Sequence, residues 1–203
     1  MSESEARGAA DLAEEDLLRA GVYSLLARLL AAPPGADALA AAAGLRGDGS
    51  DFGRALGRLA GAAREATPEA VSDEFHDLFI GAGTADLQPY ASYYQTGFLY
   101  ERPLAELRAD MAELGLALAD GVSEPEDHIA ALCEVMCALI TGACGERQDL
   151  ARQRAFFDRH IGPWAGRFFD DLEASPRATF FASVGALGKR FLRIEAQAFE
   201  MAA

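Results

Sequence analysis

The chain has 203 residues, 51% of them hydrophobic and 25% charged, and its 18 basic and 32 acidic side chains leave a net charge of −14. That composition is globular, and a chain of this length buries a core without cross-links, so disorder is excluded for most of it. The charge would repel nucleic-acid phosphates, and no apolar run reaches the ~20 residues of a membrane span.

Leu18, Val22, Leu25, Leu26, Leu29 and Leu30 recur at helical spacing and predict a long amphipathic first helix, ended by Pro33-Pro34-Gly35. An Ala-rich helix over 37–43, a glycine-rich turn over 44–50 and a helix over 51–65 follow. Thr67 before Pro68 is a start signal, because the hydroxyl can cap and the ring is pre-set for the first helical position. It predicts a helix over 68–79 that buries Val71, Phe75, Leu78 and Phe79.

Helical period lapses over 80–91, where two glycines and a proline predict a connection of a length usually given to function. Ser92 is expected to cap a short helix bearing Tyr93, Tyr94, Phe98 and Tyr100. Arg102-Pro103 opens another through about Leu118, closed by Asp120-Gly121. Ser123-Glu124-Pro125-Glu126 then has the form of a capping box, which predicts a helix from there to about Thr141 with Ile129, Leu132, Cys133, Met136, Leu139 and Ile140 inward. Further helices are read over 146–160 and 163–173, and a last one from Ser175-Pro176 to the end. No segment has the strand period. The fold class is all-α: a multi-helix bundle of about nine helices, one domain over 12–203 behind a disordered tail over 1–11.

The acidic excess is concentrated. Between Glu65 and Glu146 stand sixteen acidic residues and two basic ones, Arg102 and Arg108, while the remainder of the chain balances. Such a stretch is either a solvated face that aids solubility or a surface that meets a cationic partner.

Conventional catalytic patterns are absent from the sequence. Cys133, Cys137 and Cys144 lie near His128, but structural zinc draws on two separate ligand pairs and no second pair exists, so the thiols read as small core residues and no metal is expected. Gly81-Ala82-Gly83-Thr84 has neither the third glycine nor the Lys-Ser/Thr ending of a phosphate loop. A Gly-x-Ser-x-Gly elbow is also missing. Asp127-His128 reads, on physics alone, as an anion in a first helical turn beside a partly buried polar ring. The ordinary His value near 6.5 would let modest surroundings make His128 a switch.

Three strings together resemble the TorD/DmsD/NarJ superfamily of molybdoenzyme assembly chaperones. They are Glu74-Phe75-His76-Asp77-Leu78-Phe79-Ile80-Gly81 with Gln88-Pro89-Tyr90-Ala91-Ser92-Tyr93-Tyr94, then Glu124-Pro125-Glu126-Asp127-His128-Ile129, then His160-Ile161-Gly162-Pro163-Trp164. The resemblance implies a cytoplasmic TorD-like protein without catalytic turnover or a cofactor of its own. Such a protein binds the twin-arginine signal and unassembled catalytic subunit of a molybdopterin oxidoreductase until its cofactor is inserted, before export. The polar, acidic opening of the chain, unlike a secretory signal, agrees with a cytoplasmic location. Signal-peptide contacts of the family fall on Asp127 and His128, on Glu124 and Pro125 of the same string, and on Gly81, Tyr90 and Tyr93 of the loop string.

A cationic, apolar signal needs carboxylates beside an apolar groove, so the 80–94 loop and the start of the 124 segment are expected to share one groove in which Asp127 meets guanidinium groups. The loop string departs from many relatives in lacking a second proline and an acidic residue before Ser92. Formate dehydrogenase, trimethylamine N-oxide reductase and dimethyl sulfoxide reductase all stay open as the client class. The long central connection also permits a homodimer by domain swapping. The enzymatic alternative is a helical GTP hydrolase using Gly81 to Gly83 and the acidic cluster.

Overall fold

The computed structural model describes residues 12–81, 85–117 and 124–202. They form ten α-helices: α1 Glu14–Leu30, α2 Ala36–Ala43, α3 Asp51–Glu65, α4 Pro68–Phe75, α5 Ala91–Thr96, α6 Arg102–Glu113, α7 Ile129–Thr141, α8 Leu150–His160, α9 Ala165–Ala174 and α10 Phe180–Met201. A π-helical turn, His76–Ile80, continues α4. No strand occurs among the described residues, and an isolated antiparallel bridge joins Tyr90 to His128. The tail expected over 1–11 lies outside the described residues. No described helix is long and apolar enough to cross a membrane.

Contacts group the described residues into two compact units, each built from two separate stretches: those up to residue 27 with those of 90–163, and those of 28–89 with those from 164 on.

α1 buries Leu26, Leu29 and Leu30 as its period predicts, while its first turns bury Asp16, Ala20 and Tyr23 and leave Leu18 in solvent. The cause is polar. Asp16 takes Arg19 at 3.0 Å and is also paired with Arg147, which anchors its side of the helix inward. α7 buries Ile129, Leu132, Cys133, Met136, Leu139 and Ile140 as its period predicts, and stops at Gly142 (φ 75°). Burial pushes the thiols of Cys133 and Cys137 upward, while Cys144 is exposed. Among the described residues no group of three or more His, Cys, Asp or Glu side chains could hold a metal ion.

α6 ends at Glu113, short of Leu118. Gly115 (φ 68°) turns the chain, its N–H bonds the Ala112 carbonyl, and Leu116 N–H closes on the Met111 carbonyl at 2.8 Å, a glycine-terminated stop. α8 starts at Leu150 instead of 146 because the Asp149 carboxylate caps the Arg152 N–H at 2.8 Å. Asp110 of α6 then accepts from Arg159 and His160 of α8 at 2.8 and 2.7 Å.

The second unit is held by aromatic contacts and by one close helix pair. Phe75, Phe79 and Phe181 meet with ring centroids 4.9 to 5.7 Å apart, and Phe79 reaches Phe168 at 6.5 Å. α9 and α10 approach so closely that a Cβ at Gly188 would fall 2.3 Å from the Phe169 ring, and one at Gly185 would fall 2.5 Å from the Glu173 backbone nitrogen. Thr67 caps α4 as predicted, accepting from Ala70 N–H. The last helix begins at Phe180, not at Ser175-Pro176. Its start is set from α4: the Glu74 carboxylate accepts the backbone N–H groups of Thr179, Phe180 and Phe181 at 2.8, 3.1 and 2.8 Å. A carboxylate there answers both the orphan donors and the positive end of the helix dipole.

Candidate functional site

The family strings around Tyr90 and Asp127 come together in the first unit. Residues 125–128 form a turn closed by His128 N–H on the Pro125 carbonyl at 3.1 Å. His128 is extended (φ −66°, ψ 138°) because it bridges to Tyr90, so the helix that the capping box predicted from 124 cannot start before Ile129. His128 is itself the cap: its Nδ1 accepts the Ala130 N–H at 3.1 Å, which leaves the ring proton on Nε2. Ser123, the expected cap, lies outside the described residues.

Asp127 is 1% exposed. Its Oδ2 accepts the Ser92 backbone N–H at 2.8 Å and the Ser92 hydroxyl as well, and its carbonyl accepts Ala91 N–H at 3.0 Å. Ser92 is therefore the second residue of α5, with Tyr90 at the cap position, instead of the cap itself. The carboxylate expected to stand in an open groove is an interior group that fixes the start of α5. Its other oxygen, Oδ1, is buried with no hydrogen-bond partner.

Around this centre the surface is polar and acidic. Tyr90 stacks edge-on to the His128 ring at 5.1 Å and donates its hydroxyl to the Glu124 carboxylate, which is exposed. Burial, reinforced by that carboxylate, pushes the Tyr90 phenol up. Glu126 takes a two-pronged contact from Arg108 of α6 at 2.8 and 2.9 Å, which holds its carboxyl below the ordinary range. The same Arg108 also feels the charge of Asp127, while Glu124 has no ion pair among the described residues. Burial depresses His128 to about 4, against the weaker pull of Glu124, so the ring is neutral at physiological pH and does not act as the near-neutral switch its ordinary value allowed. Tyr93 projects into solvent, 42% exposed, one residue beyond Ser92.

The first unit thus gathers Tyr90, Tyr93, Glu124, Pro125, Asp127 and His128. Gly81 belongs to the second unit, where its φ of 48° ends the π turn with its N–H on the His76 carbonyl at 2.7 Å. Residues 82–84, which the hydrolase alternative needs, lie outside the described residues. Ser92 and Arg108 were not among the expected site residues. The family string contains Ser92, but no local pattern links it to a carboxylate 35 positions later.

The family model "Nitrate reductase delta subunit" matches residues 46–170. The chaperone protein TorD of Salmonella bongori is 30% identical over 158 residues, 77% of this chain and 71% of that one. TorD of Vibrio atlanticus is 29% identical over 151 residues, 70% of this chain and 69% of its own length. A crystal structure of a candidate redox enzyme maturation protein from Archaeoglobus fulgidus shares the fold, with a TM-score of 0.60 at 22% identity over 86% of this chain and 93% of that one. The chain belongs to the nitrate reductase delta subunit family, with the TorD chaperones among its relatives.

Proposed function

We propose that this protein is a cytoplasmic TorD-like chaperone of redox enzyme maturation. It binds the twin-arginine signal and the unassembled catalytic subunit of a molybdopterin oxidoreductase and holds them for cofactor insertion before export. The reading is supported by the relatives, which are named as chaperones, and by the site in the first unit.

The observation that carries it is the exposed Glu124 carboxylate, three residues before the buried Asp127. Glu124 is exposed and oriented by Tyr90, and Asp127 keeps one oxygen without a partner. A guanidinium offers five donors in a planar fork, and Glu124 is the exposed carboxylate that can accept them. Glu124 meets the arginine first. Asp127 contributes negative potential from below and holds Ser92 and α5 in place, while Pro125 and His128 shape the turn. Tyr90 and Tyr93 offer ring faces to the cation and to the apolar part of the signal. Gly81, in the second unit, is a separate proposed contact.

Fluorescence anisotropy with a labelled twin-arginine leader peptide and its Gln-Gln counterpart tests the reading. The arginine peptide binds and the glutamine peptide binds at least roughly tenfold more weakly, a difference of about 1.4 kcal/mol. Equal binding of both peptides would refute recognition of the arginine pair.

A further inference from the structure

Among the described residues, the exposed aromatic rings of this chain are Tyr93, Phe98 and Tyr100, all within eight residues of the first unit, and Leu99 stands exposed between the last two. Phe98 and Tyr100 are 69% and 70% exposed. Single exposed apolar side chains are ordinary, but a run of three large ones is not.

The backbone holds this run outward by specific means. Gly97 (φ 87°) ends α5 with its N–H on the Tyr93 carbonyl at 2.8 Å. The Thr96 hydroxyl donates to the Ser92 carbonyl at 2.8 Å and accepts the Phe98 N–H at 3.2 Å, which ties that residue to the end of α5. Among the described residues Tyr100 (φ 62°) is the one non-glycine residue at positive φ, a conformation that a bulky L side chain rarely takes. Tyr100 also acts electrostatically on Tyr90, the residue that orients Glu124, so the apolar run and the open carboxylate belong to one neighbourhood.

We propose that Phe98, Leu99 and Tyr100, with Tyr93, form an apolar ledge that receives the uncharged stretch of the client leader, while Glu124 meets its cationic start. This rests on the function proposed above. The occupant follows from charge. A ledge with an anion at one end fits a ligand that has a cation followed by an apolar run. A second copy of this chain, at net −14, would bring like charge to the same place. An anionic membrane surface meets the same repulsion.

The test uses two labelled synthetic peptides: an Arg-Arg pair followed by about a dozen apolar residues, the length of a signal's apolar segment, and the same pair followed by serines and glutamines. Each is titrated into the full chain and into Phe98→Ser, Tyr100→Gly and Glu124→Gln. Glycine adopts positive φ freely, so Tyr100→Gly keeps the fold, checked by its unfolding midpoint. Phe98→Ser and Tyr100→Gly weaken the apolar peptide by roughly tenfold and leave the polar one within about twofold. Wild-type affinity in both ledge variants, with Glu124→Gln impaired, overturns the ledge and leaves leader binding intact. If the wild-type chain binds neither peptide, the functional reading falls together with the ledge. A wild-type dimer in sedimentation that Phe98→Ser dissociates would make the run a self-association face and also overturn the proposal.

Discussion

Ser92 gives both its backbone N–H and its hydroxyl to a single oxygen of Asp127, across 35 residues of sequence. The pair joins α5 to the turn before α7, and with the Tyr90–His128 bridge it fixes where both helices begin. Site geometry and the stability of the first unit are therefore coupled.

That coupling predicts the behaviour of Ser92→Ala. The variant leaves a buried carboxylate short of a hydroxyl donor while the backbone donor stays. Urea unfolding should show a loss of about 2 kcal/mol, the range for a hydrogen bond to a charged group. Asp127→Ala removes the acceptor for both donors and should cost more than Ser92→Ala. An equal or smaller loss would mean that the carboxylate does not organise α5.

Acid should destabilise the protein through His128. The unfolded ring protonates near 6.5 and the folded ring near 4, so between these values the unfolded state alone takes up the proton. Stability on this account falls as pH drops from 6.5 to 4, by about 3 kcal/mol in total, and levels off below that. Asn is a strong cap that does not titrate, so His128→Asn should keep the start of α7 and lose this part of the slope. Parallel stability-pH curves for the two proteins would contradict the burial of a neutral ring.

The space around two helical glycines predicts substitution effects of opposite sign. Gly188→Ala must displace the Phe169 ring and should cost about 1–3 kcal/mol. Gly57, inside α3, has nothing within 4 Å of an added Cβ, so Gly57→Ala should stabilise by about 0.5–1 kcal/mol through helix propensity. Thermal melts of the two variants check the pair.

Glu74 makes the start of α10 depend on α4. Glu74→Ala leaves three backbone N–H groups without their acceptor and removes an anion from a helix N-terminus, for a loss of about 2 kcal/mol or more. Hydrogen exchange should rise first at Phe180 and Phe181. Protection unchanged there would show that the cap is not needed.

Local chemistry in the sequence is enough to locate most helices, because an N-cap such as Thr67 and a period such as that of 129–140 act within a few residues. Boundaries failed where a distant partner decides them. α7 begins at Ile129 because His128 is tied to Tyr90, and α10 begins at Phe180 because Glu74 reaches it from α4. At the start of α1 the buried face carries Asp16, paired with Arg147 far along the chain, where the period points to Leu18. At the site, the family string makes Asp127 a candidate, but the burial of that carboxylate is not legible in it. An acidic residue in a polar string reads as exposed until its partner, Ser92, is known. The two compact units are likewise each made of discontinuous stretches that no compositional shift marks.

Recognition of a cationic leader by the acids of 124–127 is most directly tested by calorimetry of the twin-arginine peptide against wild type, Glu124→Gln and Asp127→Asn at low and high salt. The account predicts that wild-type affinity falls with added salt, that Glu124→Gln weakens binding by roughly tenfold, and that both variants flatten the salt dependence. Wild-type affinity and an unchanged salt slope in both variants would contradict it.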